Sequence, residues 1–286
     1  MKTNLKHFSN SVSFLPIMLA VLTGCGEESG LVFTENASDG GRDAYKVETS
    51  NGTFYLEKSG GGLSSAIDKN GVDWIGWHPE DAPYQGFPNA VWDGIEENPR
   101  GYFHPYNKNT SGHSIKIGKQ SDDSVILEVR SDDDEWETAY EFFPTHVTWH
   151  VKRKPETGSY WVLYEGWPGG SFEPEADWWM TSESPGKKSC DETHLKDIPG
   201  PEWIVFGDKE VDRVLFMLSH QDDDFVDVYF PLAFTVFGFG REGTKRPYFS
   251  KITEAERSFS IGFLETTDYD TISRAMNNIL TGLPPN

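Results

Sequence analysis

The sequence predicts an all-β protein, a large antiparallel β-sandwich of the supersandwich or jelly-roll type with one short C-terminal helix. Short segments with a period of two recur from Tyr45 onward and are separated by turn residues. Asn70-Gly71 lies between two such segments, and this dipeptide is a strong hairpin signal. Helical periodicity is confined to Tyr269–Leu280, which has Asp268 available as an N-cap and ends before Gly282.

The predicted strands follow one another through a single domain, residues 43–286. Because no alternation of strands and helices interrupts them, we expect antiparallel pairing within one sandwich. The clearest strand-like segments are residues 54–58, 63–67, 72–75, 124–130, 136–143, 147–152, 160–165, 203–206, 213–218, 235–239 and 257–264.

The composition argues against nucleic acid as a partner and against a disordered chain. The chain has 286 residues with 25 Lys and Arg against 46 Asp and Glu, a net charge of −21. Without residues 1–24, which contain two lysines and no acid, the net charge becomes −23. Such an acidic chain is not expected to bind nucleic acid, because phosphate backbones are bound through Lys and Arg. An aromatic content of 14%, with 10 Trp, is too high for a disordered chain.

The first 24 residues have the pattern of a signal peptide. Lys2 and Lys6 precede an apolar run at 14–23, which is too short to span a membrane as a helix. The run ends in Leu22-Thr23-Gly24-Cys25, which resembles the lipobox of bacterial lipoproteins. The alternative is an ordinary secretory signal followed by an unrelated cysteine.

The lipoprotein resemblance implies cleavage before Cys25 and attachment of a lipid anchor to that cysteine. Gly26 rather than Asp follows, which implies the outer membrane, with the periplasmic or cell-surface face left open. Residues 25–42 are rich in Gly, Ser and acids, and are predicted to form a flexible tether. The second cysteine, Cys190, then has no intrachain partner, so no disulfide is expected.

The opening hairpin carries a family resemblance. Residues 52–58 and 63–74, with a Gly-rich turn between them, look like the start of galactose-mutarotase-like supersandwich domains. Residues 259–264 resemble a closing strand of the same domains. These domains occur in sugar epimerases and in several polysaccharide lyases, so the resemblance implies a carbohydrate-active protein.

One loop, residues 98–108, contains the residue types that a β-elimination lyase needs. Such an enzyme neutralises a uronate carboxylate, removes the C5 proton with a base and protonates the leaving oxygen with an acid. Its stretch Tyr102-Phe103-His104-Pro105-Tyr106-Asn107 is loosely similar to a strand motif of jelly-roll alginate lyases, in which a tyrosine is catalytic. The alternative is a structural loop that covers the rim of the sandwich. The catalytic candidates are Arg100, Tyr102, His104, Tyr106 and Asn107.

A second group of residues is suited to binding sugars. Indole rings stack on the flat C–H faces of sugars, and Trp residues in Pro/Gly-rich loops are more accessible than those in strands. Arg241 would hold an anionic sugar with two hydrogen bonds, or would pair with one of the many acids. The alternative for each Trp is packing between the sheets. The substrate-binding candidates are Trp77, His78, Trp167, Trp178 and Arg241.

Strand parity singles out one acid and one polar face. Glu165 alternates with Leu163 and Trp161, which predicts a buried carboxylate with a raised pKa, suited to a general acid. With Glu173 or Asp177 it would form the acid pair of a glycosidase. A separate polar face, formed by Glu141, His150 and Lys152, would line a groove if its sheet were concave.

No cofactor is predicted, except that residues 220–224 (His-Gln-Asp-Asp-Asp) offer oxygens that could bind Ca²⁺. The sequence therefore favours a surface-anchored carbohydrate-active lipoprotein that binds a polysaccharide or oligosaccharide, most sharply a polysaccharide lyase acting on a uronate-containing polymer. The charge of −23 disfavours an acidic polymer. The alternatives are a non-catalytic glycan-binding lipoprotein, and a glycoside hydrolase or sugar epimerase acting on a neutral glycan.

Overall fold

The computed structural model describes residues 30–91, 101–245 and 249–285. Within these ranges the chain forms twenty strands, one α-helix (α1) and a 3₁₀ turn at Pro168–Gly170. The strands and the helix are β1 Val32–Asp39, β2 Arg42–Glu48, β3 Gly52–Glu57, β4 Leu63–Asp68, β5 Ala90–Val91, β6 His113–Gln120, β7 Val125–Ser131, β8 Glu137–Phe142, β9 His146–Arg153, β10 Trp161–Gly166, β11 Asp177–Thr181, β12 Ser184–Ser189, β13 His194–Lys196, β14 Trp203–Asp208, β15 Val214–Ser219, β16 Asp227–Pro231, β17 Thr235–Phe239, β18 Arg241–Glu242, β19 Phe249–Ser250, β20 Arg257–Leu264 and α1 Tyr269–Leu280.

Three antiparallel sheets account for most of these strands. The largest has nine strands in the order β12-β11-β14-β15-β20-β9-β8-β7-β6. A four-stranded sheet has the order β1-β2-β3-β4, and a five-stranded sheet has the order β13-β16-β17-β10-β5. Strands β18 and β19 form a separate short pair.

The core lies between the nine-stranded sheet and the two smaller sheets. Phe54 of β3 stacks on Phe263 of β20 with ring centroids 6.2 Å apart. Tyr164 of β10 packs on Phe206 of β14 at 5.7 Å. These four rings belong to one cluster of buried residues that draws on all three sheets. The predicted all-β sandwich is confirmed.

Helix α1 closes the outer face of the nine-stranded sheet. Its N-cap is Asp268, whose carboxylate accepts the Thr271 N–H at 2.9 Å, as the sequence predicts. The buried stripe of the helix packs on the sheet beside Trp178 and Phe216, and consists of Ile272, Ala275, Met276 and Ile279. The predicted bounds of the helix are confirmed.

Two local features differ from the sequence prediction. Strand β1 lies inside the segment assigned to a flexible tether, because its backbone pairs with β2 although most of its side chains are polar. Residues 72–75 pair with β4 through a single bridge, Asp73 opposite Ile67, and do not continue as a strand. The Asp73 carboxylate there accepts the N–H groups of Ala66 and Ile75, both at 3.0 Å, in place of a continuous strand ladder.

The predicted signal peptide and Cys25 lie outside the described residues. Among the helices that the structure describes, none is long and apolar enough to cross a membrane.

Candidate functional site

Alternation along β10 places Glu165 on the face of the five-stranded sheet that points away from the main core. Val162 and Tyr164 belong to the main core cluster, and the Tyr164 hydroxyl donates to the Trp74 carbonyl at 2.6 Å. Trp161 and Leu163 form a separate small cluster on the other side of the strand. Since side chains alternate along a strand, Glu165 shares the face of Trp161 and Leu163.

Neighbouring strands extend this face with apolar side chains. Val236 of β17 is directly opposite Glu165 in the antiparallel register. Val236 packs with Val228 and Phe230 of β16 in a further buried cluster. We call this surface the Glu165 face, and it consists of Trp161, Leu163, Glu165, Val228, Phe230, Val236 and Arg241.

The carboxylate of Glu165 is surrounded by protein, although the residue remains partly open to solvent. Burial raises its pKa to about 7, and the positive charge of Arg241 opposes this shift. None of the described residues donates a hydrogen bond to the carboxylate. A half-protonated carboxyl group on an apolar surface is the type of group that accepts and donates protons in catalysis.

Arg241 contributes a buried positive charge to the same face. The residue is only 4% exposed, and its guanidinium carbon lies 4.8 Å from the ring centroid of Phe230 and 5.4 Å from that of Trp161. Aromatic rings stabilise a cation in this position. The arginine therefore lies where a negative charge on Glu165, or one that develops on a bound substrate, would be stabilised.

A close backbone approach brings the loop predicted to be catalytic to the edge of this face. Gly86 is directly opposite Glu165 on the side away from β17, and the two backbones exchange hydrogen bonds of 2.9 and 3.1 Å. A Cβ atom at Gly86 would lie 2.5 Å from the Pro105 ring and 3.3 Å from Nε2 of His104. Directly paired residues present their side chains to the same face of a sheet. His104 and Pro105 lie where a side chain at Gly86 would point, so they are on the same face as the Glu165 side chain.

His104 is fixed within its own loop. It is 2% exposed, its Nε2 lies 2.6 Å from the Tyr84 carbonyl oxygen, and its Nδ1 lies 2.7 Å from the Pro105 carbonyl oxygen. Burial lowers its pKa below the usual range. Because both ring nitrogens contact backbone oxygens, this imidazole holds the loop in place and has no nitrogen available for a substrate.

The side chain of Tyr102 is also engaged in contacts within the protein. Its hydroxyl donates to the Asp133 carboxylate at 2.6 Å, and its ring packs on Trp136 with centroids 5.7 Å apart. Burial and the adjacent carboxylate raise the pKa of Tyr102 well above its usual value. A tyrosine in this state is a poor base for removing a C5 proton.

Of the remaining catalytic candidates, Asn107 contacts His104, with its amide Nδ2 3.3 Å from Nδ1 of the imidazole. The exposed ring of Tyr106 lies under the Arg42 guanidinium, 3.7 Å from it. The side-chain amide of Asn107 donates to the Pro83 carbonyl at 3.3 Å. Arg100 lies outside the described residues.

The aromatic candidates fall into different environments. Trp77 is 4% exposed and Trp178 is 6% exposed, so both pack as core residues, with Trp178 in the cluster under α1. Trp167 is partly exposed, and its indole N–H donates to the Ala233 carbonyl at 3.3 Å. His78 is exposed beside Asp81, 3.6 Å away. Of the five binding candidates, Arg241 lies on the Glu165 face.

The predicted acid pair of Glu165 and Asp177 does not form. Asp177 alternates along β11 with Trp178, which packs under α1, so its carboxylate lies on the interior side of the nine-stranded sheet. Burial raises its pKa to about 7, but the five-stranded sheet separates it from the Glu165 face. The carboxylate also accepts the Glu173 N–H at 2.7 Å, which gives it a structural role in that turn.

One acidic cluster could hold a cation. Ligand oxygens of Asp197, Glu202 and Asp223 lie within 4.8 Å of one another, and Asp223 belongs to the segment predicted to bind Ca²⁺. Burial and neighbouring acids raise the pKa of Glu202 to about 8. Asp223 already pairs with Arg257 at 2.7 Å, so part of the negative charge of the cluster is neutralised within the chain.

Sequence reasoning missed the β16 side of the Glu165 face. Val228 and Phe230 were not assigned to a strand, although they alternate with Asp227 and Tyr229, which point to the interior. The period-two pattern was therefore present, but a short strand flanked by acids gives a weak signal.

No family model matches the chain, and no curated protein is similar to it in sequence. Solved structures do match. One, of a protein designated HI1317, has a TM-score of 0.51 at 11% identity over 82% of this chain and 99% of that chain. A galactose mutarotase-like protein from Clostridium acetobutylicum has a TM-score of 0.47 at 10% identity, over 82% and 98% of the two chains. A galactose mutarotase related enzyme from Lactobacillus acidophilus has a TM-score of 0.47 at 9% identity, over 79% and 98%.

The likeness to HI1317 concerns the fold. At 11% identity it shows a common arrangement of strands, and a shared fold does not imply a shared function.

Proposed function

We propose that the protein is a sugar-modifying enzyme in which Glu165 transfers protons at the outer face of the five-stranded sheet. The observation that carries this proposal is the state of Glu165. Its carboxyl has a pKa of about 7, has no hydrogen-bond donor among the described residues, and lies beside aromatic rings and Arg241.

This chemistry favours sugar epimerisation, in particular the interconversion of anomers. That reaction needs a proton removed from the anomeric hydroxyl and a proton supplied to the ring oxygen. A carboxyl group near half-protonation at neutral pH can serve in either direction. The resemblance of the opening hairpin to galactose-mutarotase-like domains supports the same class of substrate.

Two other candidate activities have less support. Lyase chemistry through the 98–108 loop is less favoured, because Tyr102 and His104 are engaged with Asp133 and with backbone carbonyls. Hydrolysis by a pair of carboxylates is less favoured, because Asp177 lies on the other side of the five-stranded sheet from Glu165.

The test compares the wild type with Glu165→Gln on a panel of neutral aldoses and polysaccharides. Exchange between anomers would be measured by NMR, with absorbance near 235 nm and reducing ends followed in parallel. We expect faster anomer exchange with the wild type and a loss of at least 100-fold with Glu165→Gln, while Glu175→Gln, an exposed acid ten residues further along the chain, keeps full activity. Absorbance or reducing ends without anomer exchange would contradict the proposal in favour of a lyase or a hydrolase.

We further propose that the chain is a lipoprotein anchored through Cys25, on the basis of the signal and lipobox pattern. Mass spectrometry of the membrane-extracted protein should show a new N-terminus at Cys25 carrying acyl chains. An unmodified Cys25, or cleavage elsewhere, would contradict this proposal.

A further inference from the structure

A pocket on the opposite side of the molecule from Glu165 combines a polar floor with apolar walls. Its volume is about 320 Å³. The floor belongs to the nine-stranded sheet, where Val147, Trp149 and Val151 point into the main core and the intervening residues of β9 point outward. The main core therefore lies between this pocket and the Glu165 face.

The floor consists of imidazoles and hydroxyls that hydrogen-bond to one another in small separate groups. Nδ1 of His150 lies 2.8 Å from Oγ of Ser258, and Nε2 of His220 lies 2.8 Å from Oγ of Ser260. The same Ser260 hydroxyl lies 2.8 Å from Oγ1 of Thr148. These strand residues are in register across β9 and β20, with Ser258 opposite His150 and Ser260 opposite Thr148.

Each of the three imidazoles keeps one nitrogen without a close partner. Nδ1 of His146 lies 3.0 Å from the Thr145 hydroxyl, but none of the described residues hydrogen-bonds to its Nε2 or to Nδ1 of His220. Nε2 of His150 is 3.5 Å from Glu141, which is long for a hydrogen bond. Of these three nitrogens, Nε2 of His150 is the one that is buried without a hydrogen bond, and a buried polar atom left unpaired costs free energy, whereas the unpaired nitrogens of His146 and His220 are accessible to a ligand.

The walls are apolar, and the Glu141 carboxylate contacts His150 from outside the lining. The ring of Phe143 stacks on His146 with centroids 4.8 Å apart and planes 22° from parallel, which provides a flat surface. Ile279, Leu283 and Pro284 enclose the other side at the end of α1. None of the described lining residues is an acid, a lysine or an arginine. Burial also lowers the pKa of His146 to about 3 and that of His220 to about 4, so both rings are neutral near pH 7.

We propose that this pocket, formed by His146, His150 and His220 under Leu283, is a second binding site that takes one neutral sugar ring. Imidazoles and hydroxyls donate and accept hydrogen bonds, as sugar hydroxyls require. Ser258 and Ser260 are two residues apart on one strand, so the polar row spans about 7 Å, which matches the width of a pyranose with its hydroxyls. The flat Phe143–His146 pair suits the C–H face of the ring, and the volume is at the lower end for ligand pockets.

The test follows the imidazole resonances of the full chain by NMR during titration with methyl β-D-glucopyranoside and methyl β-D-galactopyranoside. We expect the signals of His146, His150 and His220 to shift with at least one glycoside, while those of His194, on β13, stay fixed. Two variants, His220→Phe and Leu283→Ala, should each weaken the affinity at least tenfold. Leu283 lies beyond α1 and is exposed, so its replacement leaves the fold intact and keeps the test valid if His220→Phe is unstable.

Glu165→Gln provides the matched control, and should leave binding in this pocket unchanged. The proposal is overturned if saturating glycoside moves none of the three imidazoles, or if the affinity survives in both pocket variants. It is also overturned if the shifts disappear in Glu165→Gln, or if phenol binds in the pocket and the glycosides do not. Loss of anomer exchange alone would bear on the proposed function and not on this site.

Discussion

Gly86 and Glu165 lie directly opposite each other, joined by backbone hydrogen bonds of 2.9 and 3.1 Å, and the ring of Pro105 fills the space that a side chain at Gly86 would need. This relationship ties the loop that contains His104 to the carboxylate that we propose as the proton-transfer group. The loop therefore packs at the edge of the site, while the polar groups of the loop form hydrogen bonds with other residues of the protein.

Replacing Gly86 with alanine should disturb this contact. The new Cβ would lie 2.5 Å from Pro105 Cδ, and the φ of +157° is unfavourable for an L-residue. Overpacking of this kind costs about 1–3 kcal/mol. We expect a lower Tm and a loss of anomer exchange of at least tenfold.

Gly71→Ala is the matched control for this prediction. Gly71 also has a positive φ, +81°, but no atom of the residues that the structure describes lies within 4 Å of a Cβ at that position. Backbone strain alone should cost about 1 kcal/mol there, without an effect on activity. Equal losses of stability in the two variants would show that the contact with Pro105 is unimportant.

Glu165→Gln should stabilise the protein at alkaline pH. The folded-state pKa of about 7 is above the ordinary value of a glutamate, so the folded state binds the proton more tightly than the unfolded state does. The contribution of Glu165 to stability is therefore complete below pH 4.5 and is lost as the pH rises through 7. At pH 8 the variant should gain on the order of 2 kcal/mol in free energy of unfolding. Denaturant unfolding at pH 5 and pH 8 measures this, and an equal effect at both pH values would contradict the raised pKa.

Two tryptophans proposed from the sequence as sugar contacts should differ in their effect on stability. Trp178 is buried under α1, so Trp178→Ala should cost about 3–5 kcal/mol in free energy of unfolding. Trp167 is partly exposed, so Trp167→Ala should cost about 1 kcal/mol or less. Chemical denaturation of the two variants measures both effects, and similar losses would contradict the burial of Trp178.

Glu202, in the acidic cluster, should make the free energy of unfolding of the protein depend on pH. Its folded-state pKa of about 8 is raised by burial and by Asp223, so stability falls as the pH rises from 5 through 8. Glu202→Gln should remove this fall and gain on the order of 2 kcal/mol at pH 9. Glu210→Gln, an exposed acid, serves as the control. If the two variants have the same stability at pH 9, the pKa of Glu202 is not raised in the folded protein.

Much of the architecture follows from local patterns. Segments with a period of two predicted the strands of the sandwich, and Asp268 predicted the start of α1. Both predictions were possible because each signal depends on residues that are close together in the chain. Parity along β10 also predicted a buried Glu165 with a raised pKa. The partners of the site could not be predicted in the same way. The contacts between Tyr102 and Asp133, and between His104 and Tyr84, join residues 31 and 20 positions apart.

The prediction that Glu165 and Asp177 form an acid pair was wrong for a related reason. Parity assigns a side chain to one face of its own strand, but it does not say which sheet that strand joins. Glu165 and Asp177 belong to different sheets, and the five-stranded sheet lies between their carboxylates. For the same reason, the sequence predicted only that His150 and Glu141 belong to a polar face. The register of β9 and β20, which places Ser258 and Ser260 beside the histidines, could not be predicted from parity.

The most direct test of the proposed site is the titration of the Glu165 carboxyl group by carbon NMR, with Glu165→Gln used to assign the signal. We predict a midpoint near pH 7 in the free protein, which moves when an aldose that exchanges its anomers is added. A midpoint near 4.5 that no sugar changes would contradict the assignment of Glu165 as the proton-transfer group.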